Sequence, residues 1–310
     1  MKIGVLRLIL AIGLMLAGFS GSALAEEAGP PSANLPVESW VGQSFVFLAL
    51  PADKQDDGYD IYAEDQAARG WQGDQAGRIP YAAHVAKQVT IIRVVATADP
   101  VFDYIVHMEE RETGMKLAGR TIRGQLEGLA PARDRENARQ QFVGRTIYTK
   151  RTTLIGVADP ATNPGPLSLT VPLGTPILVT DVWDGIQSAE PVWLVVSVHG
   201  QKAVLPIAYS WTNQPANSWS AGLPWQQVLF LEDPRQQAGW SQEVWNSVVA
   251  GEVKKGMTKE QVRLSWGNPS RTDETSPGGS RWFYGNTWLD FTGEVVAAVN
   301  KEELKDSVTP

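Results

Sequence analysis

Val41-Gly42-Gln43-Ser44-Phe45 and, further along the chain, Val143-Gly144-Arg145-Thr146-Ile147 open two stretches that carry the same features in the same order. Each begins with a β-branched residue and a glycine leading into a short apolar strand. In the first, Thr90-Ile91-Ile92-Arg93-Val94 follows, and in the second Thr175-Pro176-Ile177-Leu178-Val179. Asp99-Pro100-Val101-Phe102 then matches Glu190-Pro191-Val192-Trp193. Each stretch ends in a strand, a turn and another strand, the turns being Glu112-Thr113-Gly114 and His199-Gly200-Gln201. Repetition of one ordered set of elements is the signature of a duplicated unit. The first copy carries the longer loop after its opening strand, residues 51–80.

The strands are legible because Val, Ile, Phe and Tyr cluster in runs too short for helices. Ser44–Ala49, Val89–Val95, Tyr104–Met108, Thr146–Thr149, Ile177–Val182 and Val192–Val198 are such runs. They place one β-domain at residues 40–127 and a second at 143–212. Between them, 128–142 (GLAPARDRENARQQF) is polar and predicts an exposed linking helix, its Arg residues interleaved with Asp134 and Glu136. Residues 213–238 read as an interdomain segment, and Trp211 just ahead of it and Trp219 and Trp225 within it pin the chain to neighbouring surfaces. The layout of residues 40–212 resembles two small bacterial SH3-like barrels.

Residues 239–304 predict an α+β domain of two helices and three strands. Ser241 caps the first helix, and Trp240 and Trp245 have hydrophobic-staple spacing. Thr258 and Gln261 form a capping box, with Met257 and Val262 as the staple. Gly267 closes that helix and Pro269 prevents its continuation. The strands are Arg281–Tyr284, Trp288–Phe291 and Val295–Val299, the last two joined through Thr292-Gly293-Glu294. Trp245 and Val262 are expected over a sheet face bearing Phe283, Leu289 and Phe291.

The stretch Lys254–Pro269, KKGMTKEQVRLSWGNP, together with RWFYGNTWLDFTGEVVAAV, resembles the BamE (SmpA/OmlA) family and related domains of the β-lactamase-inhibitor-protein fold. The likeness covers about the last fifth of the chain. It implies a protein–protein interaction domain of the cell envelope and no catalysis. The chain has no cysteine, so the lipidated Cys of BamE has no counterpart, and the β-rich region is an addition to that family's plan.

The first residues read as a secretory signal, 1–25. Lys2 and Arg7 precede the apolar run Leu8–Leu16, and Ala23-Leu24-Ala25 offers a cleavage site. The expected mature protein starts at Glu26, opens with a flexible stretch, 26–39, and is a soluble periplasmic protein with no membrane span and no lipid anchor. Loss of Lys2 and Arg7 takes the formal charge from −7 to −9. An unclustered acidic balance argues against nucleic acid as a partner.

Chemistry finds little to stand on in this sequence. Without cysteine there is no thiol catalysis, thiolate metal site or disulfide. His84, His107 and His199 are scattered, and His107-Met108-Glu109-Glu110 reads as a strand end, not a ligand set. The acidic loop holding Asp53, Asp56, Asp57, Asp60, Glu64 and Asp65 lacks the order of a preorganised calcium site. No catalytic, cofactor or metal residue is assigned, and the partner-binding residues are left open. The expected function is a non-catalytic periplasmic adaptor that binds an envelope protein during outer-membrane assembly or maintenance. Two further classes remain: a peptidoglycan-binding module, and a proteinaceous inhibitor of a periplasmic hydrolase.

Overall fold

The computed structural model describes residues 36–73, 77–156, 168–186, 188–214, 224–236, 240–276 and 279–301. The expected signal segment, most of the flexible N-terminal stretch and Trp219 lie outside them. The architecture is mainly β, with few helices and curled antiparallel sheets.

The first sheet contains β1 (Ser44–Phe47), β2 (Tyr59–Ala63), β3 (Arg78–Ile79), β4 (Gln88–Ala96), β5 (Tyr104–Glu110), β6 (Lys116–Arg120) and β7 (Leu129–Pro131). Two one-turn helices, α1 (Ala67–Gly70) and α2 (Tyr81–His84), lie between β2 and β4. The second region runs through α3 (Ala132–Phe142), β8 (Thr146–Thr149), β9 (Thr153–Gly156), β10 (Ser168–Thr170), β11 (Pro176–Asp184), β12 (Val192–Val198), β13 (Gln201–Ile207), α4 (Trp225–Val228) and β14 (Leu229–Phe230). The two seven-stranded sheets have orders β3-β2-β6-β5-β4-β1-β7 and β10-β9-β13-β12-β11-β8-β14. Strand for strand, these are one topology used twice.

Individual hydrogen bonds repeat as well. Gly42 N–H donates to Ile91 O at 2.8 Å, and Gly144 N–H to Val179 O at 2.9 Å. Both glycines have positive φ, +82° and +80°. A bulge interrupts β4 between Ile91 and Arg93, and β11 between Val179 and Asp181. Trp40 and Phe142, each fully buried, occupy the same place ahead of β1 and β8.

The register corrects the sequence alignment of the copies. Ser44 pairs with Thr90 and Thr146 with Leu178, so Thr90 falls on Leu178 rather than Thr175. Tyr104 pairs with Ala96 and Val192 with Asp184, so Tyr104 falls on Val192, and Pro100 has no match in Pro191. Short apolar runs slide past one another without losing their pattern, and only the ladder fixes them. The edges of the units shift too. Residues 129–131 are strand β7 and not helix, and the second sheet reaches Phe230, inside the stretch read as interdomain. Helix α3 is more than a solvated link. Asp134, Ala138 and Phe142 are buried, and Ala138 and Phe142 join the second core. Trp225 does pin α4, packing edge-on to Phe142 at 5.5 Å.

The C-terminal domain has α5 (Gln242–Val249), α6 (Lys259–Trp266) and a sheet β15-β16-β17-β18, formed by Arg271–Ser276, Gly279–Tyr284, Thr287–Thr292 and Val295–Lys301. Both caps form. Ser241 Oγ accepts from Val244 N–H, and Thr258 and Gln261 make the reciprocal box. The sheet has a strand more than expected. The segment around Arg271-Thr272-Asp273-Glu274 lacks apolar alternation and pairs at the edge, where polar residues discourage further pairing. Trp245, Val262, Leu289 and Phe291 share the core. Phe283 does not: Trp282 pairs with Leu289 on the helix-covered face, which sends Phe283, opposite Trp288, to the other face.

This domain docks on the second sheet through one turn. Leu173 enters the C-terminal core. Its neighbour Gly174 lies flat under the Trp245 indole, where an added Cβ would be 2.6 Å from Cζ2. Gly174 also has φ +72°. Gly174→Ala therefore combines left-handed strain with overpacking and should cost about 2–4 kcal/mol. Ala86 occupies the same place in the first copy at φ +66°. There, Ala86→Gly relieves strain and should leave stability unchanged or raise it by up to about 1 kcal/mol. Denaturant melts of the two full-length variants would show these opposite signs.

Candidate functional site

A cleft of 570 Å³ lies where the two β-domains face each other. One wall comes from the first domain: Phe47 at the end of β1, Ala49 beyond it, and Tyr81, Val85 and Ala86 from α2 and the turn after it. The opposite wall is Val182, Trp183, Asp184 and Ile186 at the end of β11, and helix α3 contributes Arg135 and Arg139.

Local sequence explains the positions. Arg135 and Arg139 are one helical turn apart and point the same way, toward β11. Arg135 Nη1 donates to Asp184 Oδ2 at 2.5 Å. Arg139 donates from Nη1 to Asp181 Oδ1 at 2.5 Å and from Nη2 to Val182 O at 2.9 Å. Trp183 Nε1 donates to Asp181 Oδ2 at 3.0 Å, and Lys202 Nζ stands 4.3 Å from the centre of the indole ring. Trp183 and Ile186 also pack on Trp193, Val195 and Val204, a second apolar layer on the outer face of the sheet. This layer explains why β12 is buried on both faces.

The cleft's charges are thus paired before any ligand arrives. Burial works against ionisation of Asp181, but the Val182 amide, the Arg139 guanidinium and the Trp183 indole N–H outweigh it and hold the carboxyl below its usual range. Burial pushes Asp184 upward and prevails over Arg135.

The first-domain wall is held from beneath. Glu110, fully buried, accepts from Lys87 Nζ at 2.9 Å and Thr113 Oγ1 at 3.0 Å, and its Oε2 lies 2.6 Å from His84 Nδ1. Burial opposes its charge, yet Lys87, His84 and Thr113 together keep its carboxyl below the usual range. The strand pairing places Val198 at this point of the second copy. The ionic clasp therefore belongs to the first domain alone. It ties the α2 turn to β5 where no further domain is clamped onto that turn.

Asn213 fixes the angle between the two walls. Its side chain accepts from Leu126 N–H at 2.6 Å and donates to Leu126 O at 2.9 Å and Leu129 O at 2.7 Å. Gly128 N–H donates to Ser188 Oγ at 2.8 Å across the same boundary. Such bonds are costly to break in a buried setting, because each leaves a backbone group without a partner.

The residues examined in the sequence for chemistry do not converge on the cleft. His84 lies beneath its wall. His107 pairs with Glu64 at 2.7 Å on the sheet surface, and His199 forms the β12–β13 turn. Asp53, Asp56 and Asp65 are spread along the loop, while Asp57 and Asp60 line a smaller hollow of 190 Å³ with Lys54, Arg78 and Glu127. Among the described residues, no three His, Asp or Glu side chains are grouped to hold a metal ion. The residues that line the cleft were not singled out in the sequence. The signal lay in the spacing of Arg135 and Arg139 and in Asp181-Val182-Trp183-Asp184, whose partners are distant in the chain.

No family model, curated protein or solved structure matches this chain.

One buried carboxylate near the cleft makes a pH prediction. Asp134, in the first turn of α3, is 2% exposed. It accepts from Ser210 Oγ at 2.6 Å, while its Oδ1 has no hydrogen-bond partner among the described residues. Burial raises its pKa against the pull of Ser210 and Arg133. A carboxylate with a raised folded-state pKa penalises folding above that pKa, and the penalty disappears as pH falls below the ordinary carboxylate value. Asp134→Asn should therefore raise the melting temperature at pH 8, with the gain shrinking toward pH 4. Thermal melts across that range would check it.

Proposed function

We propose that this protein is a non-catalytic binding protein of the bacterial envelope and that the cleft between its repeated domains receives a segment of an envelope protein. In this reading the two β-domains are elaborated SH3-like units and the C-terminal unit is BamE-like, an interaction domain added behind a duplicated binding module. The signal-like N-terminus supports export. The acidic balance of the chain disfavours nucleic acid.

The observation that carries the reading is the cleft itself. Its walls combine Tyr81, Val85, Trp183 and Ile186, and its Arg and Asp side chains are already engaged with each other. Pockets that bind organic ligands are mostly apolar and concave, with a few fixed polar groups. Aromatic residues and arginine are also the side chains that dominate protein interfaces. Peptidoglycan is the second reading, favoured by Trp183 and Tyr81, which offer ring faces to sugars beside a carboxylate.

Two assays separate them. The full mature chain is sedimented with purified peptidoglycan, and immobilised chain is exposed to detergent-solubilised envelope. Ala49→Trp, which narrows the cleft from its first-domain wall, is run in parallel, with melts confirming that it folds. The expected result is a protein retained by the parent chain and lost with Ala49→Trp, with no peptidoglycan-dependent pellet. Sedimentation that Ala49→Trp abolishes would establish the second reading. Binding in either assay that ignores the substitution would remove the cleft from both.

A further inference from the structure

The duplication lets one interdomain junction be read against the other. In the first copy, Ala86 N–H donates to Phe47 O at 2.9 Å, Phe47 N–H to Lys87 O at 3.0 Å and Lys87 N–H to His84 O at 3.0 Å. In the second, Gly174 N–H donates to Thr149 O at 2.8 Å, Thr149 N–H to Thr175 O at 3.2 Å and Thr175 N–H to Pro172 O at 3.1 Å. The turns share these three bonds, which put Val85 on Leu173 and Ala86 on Gly174. Each is presented to the unit that follows in the chain. At the second junction the place is filled: Leu173 packs into the C-terminal core and the Trp245 indole covers Gly174. At the first junction the same place opens into the cleft, with Val85 half-buried and Ala86 exposed.

We propose that the cleft over Val85 and Ala86 is a receptor for a single bulky aromatic side chain of the partner protein, in the position that Trp245 takes over Leu173 and Gly174. This rests on the reading of the cleft as the binding site and names what enters it. Three further features fit a neutral ring. Tyr81 and Trp183 flank the space from opposite walls, so an inserted ring meets aromatic edges and faces. Arg135 and Arg139 are committed to Asp184 and Asp181, which leaves little unpaired charge to attract an anion. The Glu110 clasp fixes the turn from below, so the receptor exists before the ligand arrives and little ordering is required on binding. The Ala86 methyl holds the ring farther out than the Gly174 arrangement does.

The test uses N-acetyl-tryptophanamide as probe and the full mature chain with labelled Ala, Val, Ile and Leu methyl groups. The expected result is a saturable shift of the Ala86, Val85 and Ile186 methyl signals, with the already covered Leu173 unmoved. N-acetyl-leucinamide should shift them less at equal concentration. Ala86→Gly, which copies the second junction, should tighten the probe, and Ala49→Trp should abolish the response while the chain still melts cooperatively. Shifts confined to other surfaces, or equal responses to the two amides, would overturn the proposal. If the probe fails while Ala49→Trp still releases a captured envelope protein, the aromatic receptor is wrong and the cleft reading stands. If that substitution releases nothing, the cleft reading falls as well.

Discussion

A single backbone hydrogen bond, from residue 86 to the Phe47 carbonyl and again from residue 174 to the Thr149 carbonyl, sets how this chain is assembled. It closes the turn that precedes the central meander of each sheet and forces the turn residue into the left-handed region. The turn then stands out from the sheet as a small platform. Everything that follows in the chain has to pass it. After the first sheet, α3 brings two arginines to the platform. After the second, Pro234 and Trp245 close over it.

The two platforms are stabilised by different physics. In the second copy Gly174 gives up its side chain so that an indole can lie against the backbone, and burial of apolar surface holds the junction. In the first copy that surface is open, and the turn is fixed from within by Glu110, His84 and Lys87. Buried ion clusters of this kind add little net stability but define one geometry. Asn213 does similar work between the domains, spending its whole amide on the backbone of Leu126 and Leu129. The cleft is therefore a built gap with rigid walls.

The duplication was legible in the sequence because each copy carries the same β-branched residue, glycine and strand run. The exact equivalence was not, because Thr90 slides onto Thr175 or Leu178 with equal loss of pattern, and only inter-strand hydrogen bonds choose. The caps of α5 and α6 were legible since their partners are three residues away. Phe283 was placed on the wrong face because period-two alternation leaves open which set faces in, and Trp282 takes the inner place. Strand β15 was missed because its residues are polar and it forms only through pairing with β16. The cleft was hidden for a related reason. Arg139 and Asp181 look like ordinary solvated charges until folding brings them together, and Asn213 looks like a linker residue until its three bonds are seen.

The central claim is that the uncovered platform of the first domain, and not some other exposed apolar residue, is where this protein is engaged. A photo-reactive phenylalanine analogue replacing Tyr81 in the cleft wall, and separately Val101, 56% exposed in the loop after β4, tests that in living cells. A discrete cross-linked adduct is expected from position 81 and none from position 101. Adducts from position 101 alone, or the same adducts from both, would contradict it.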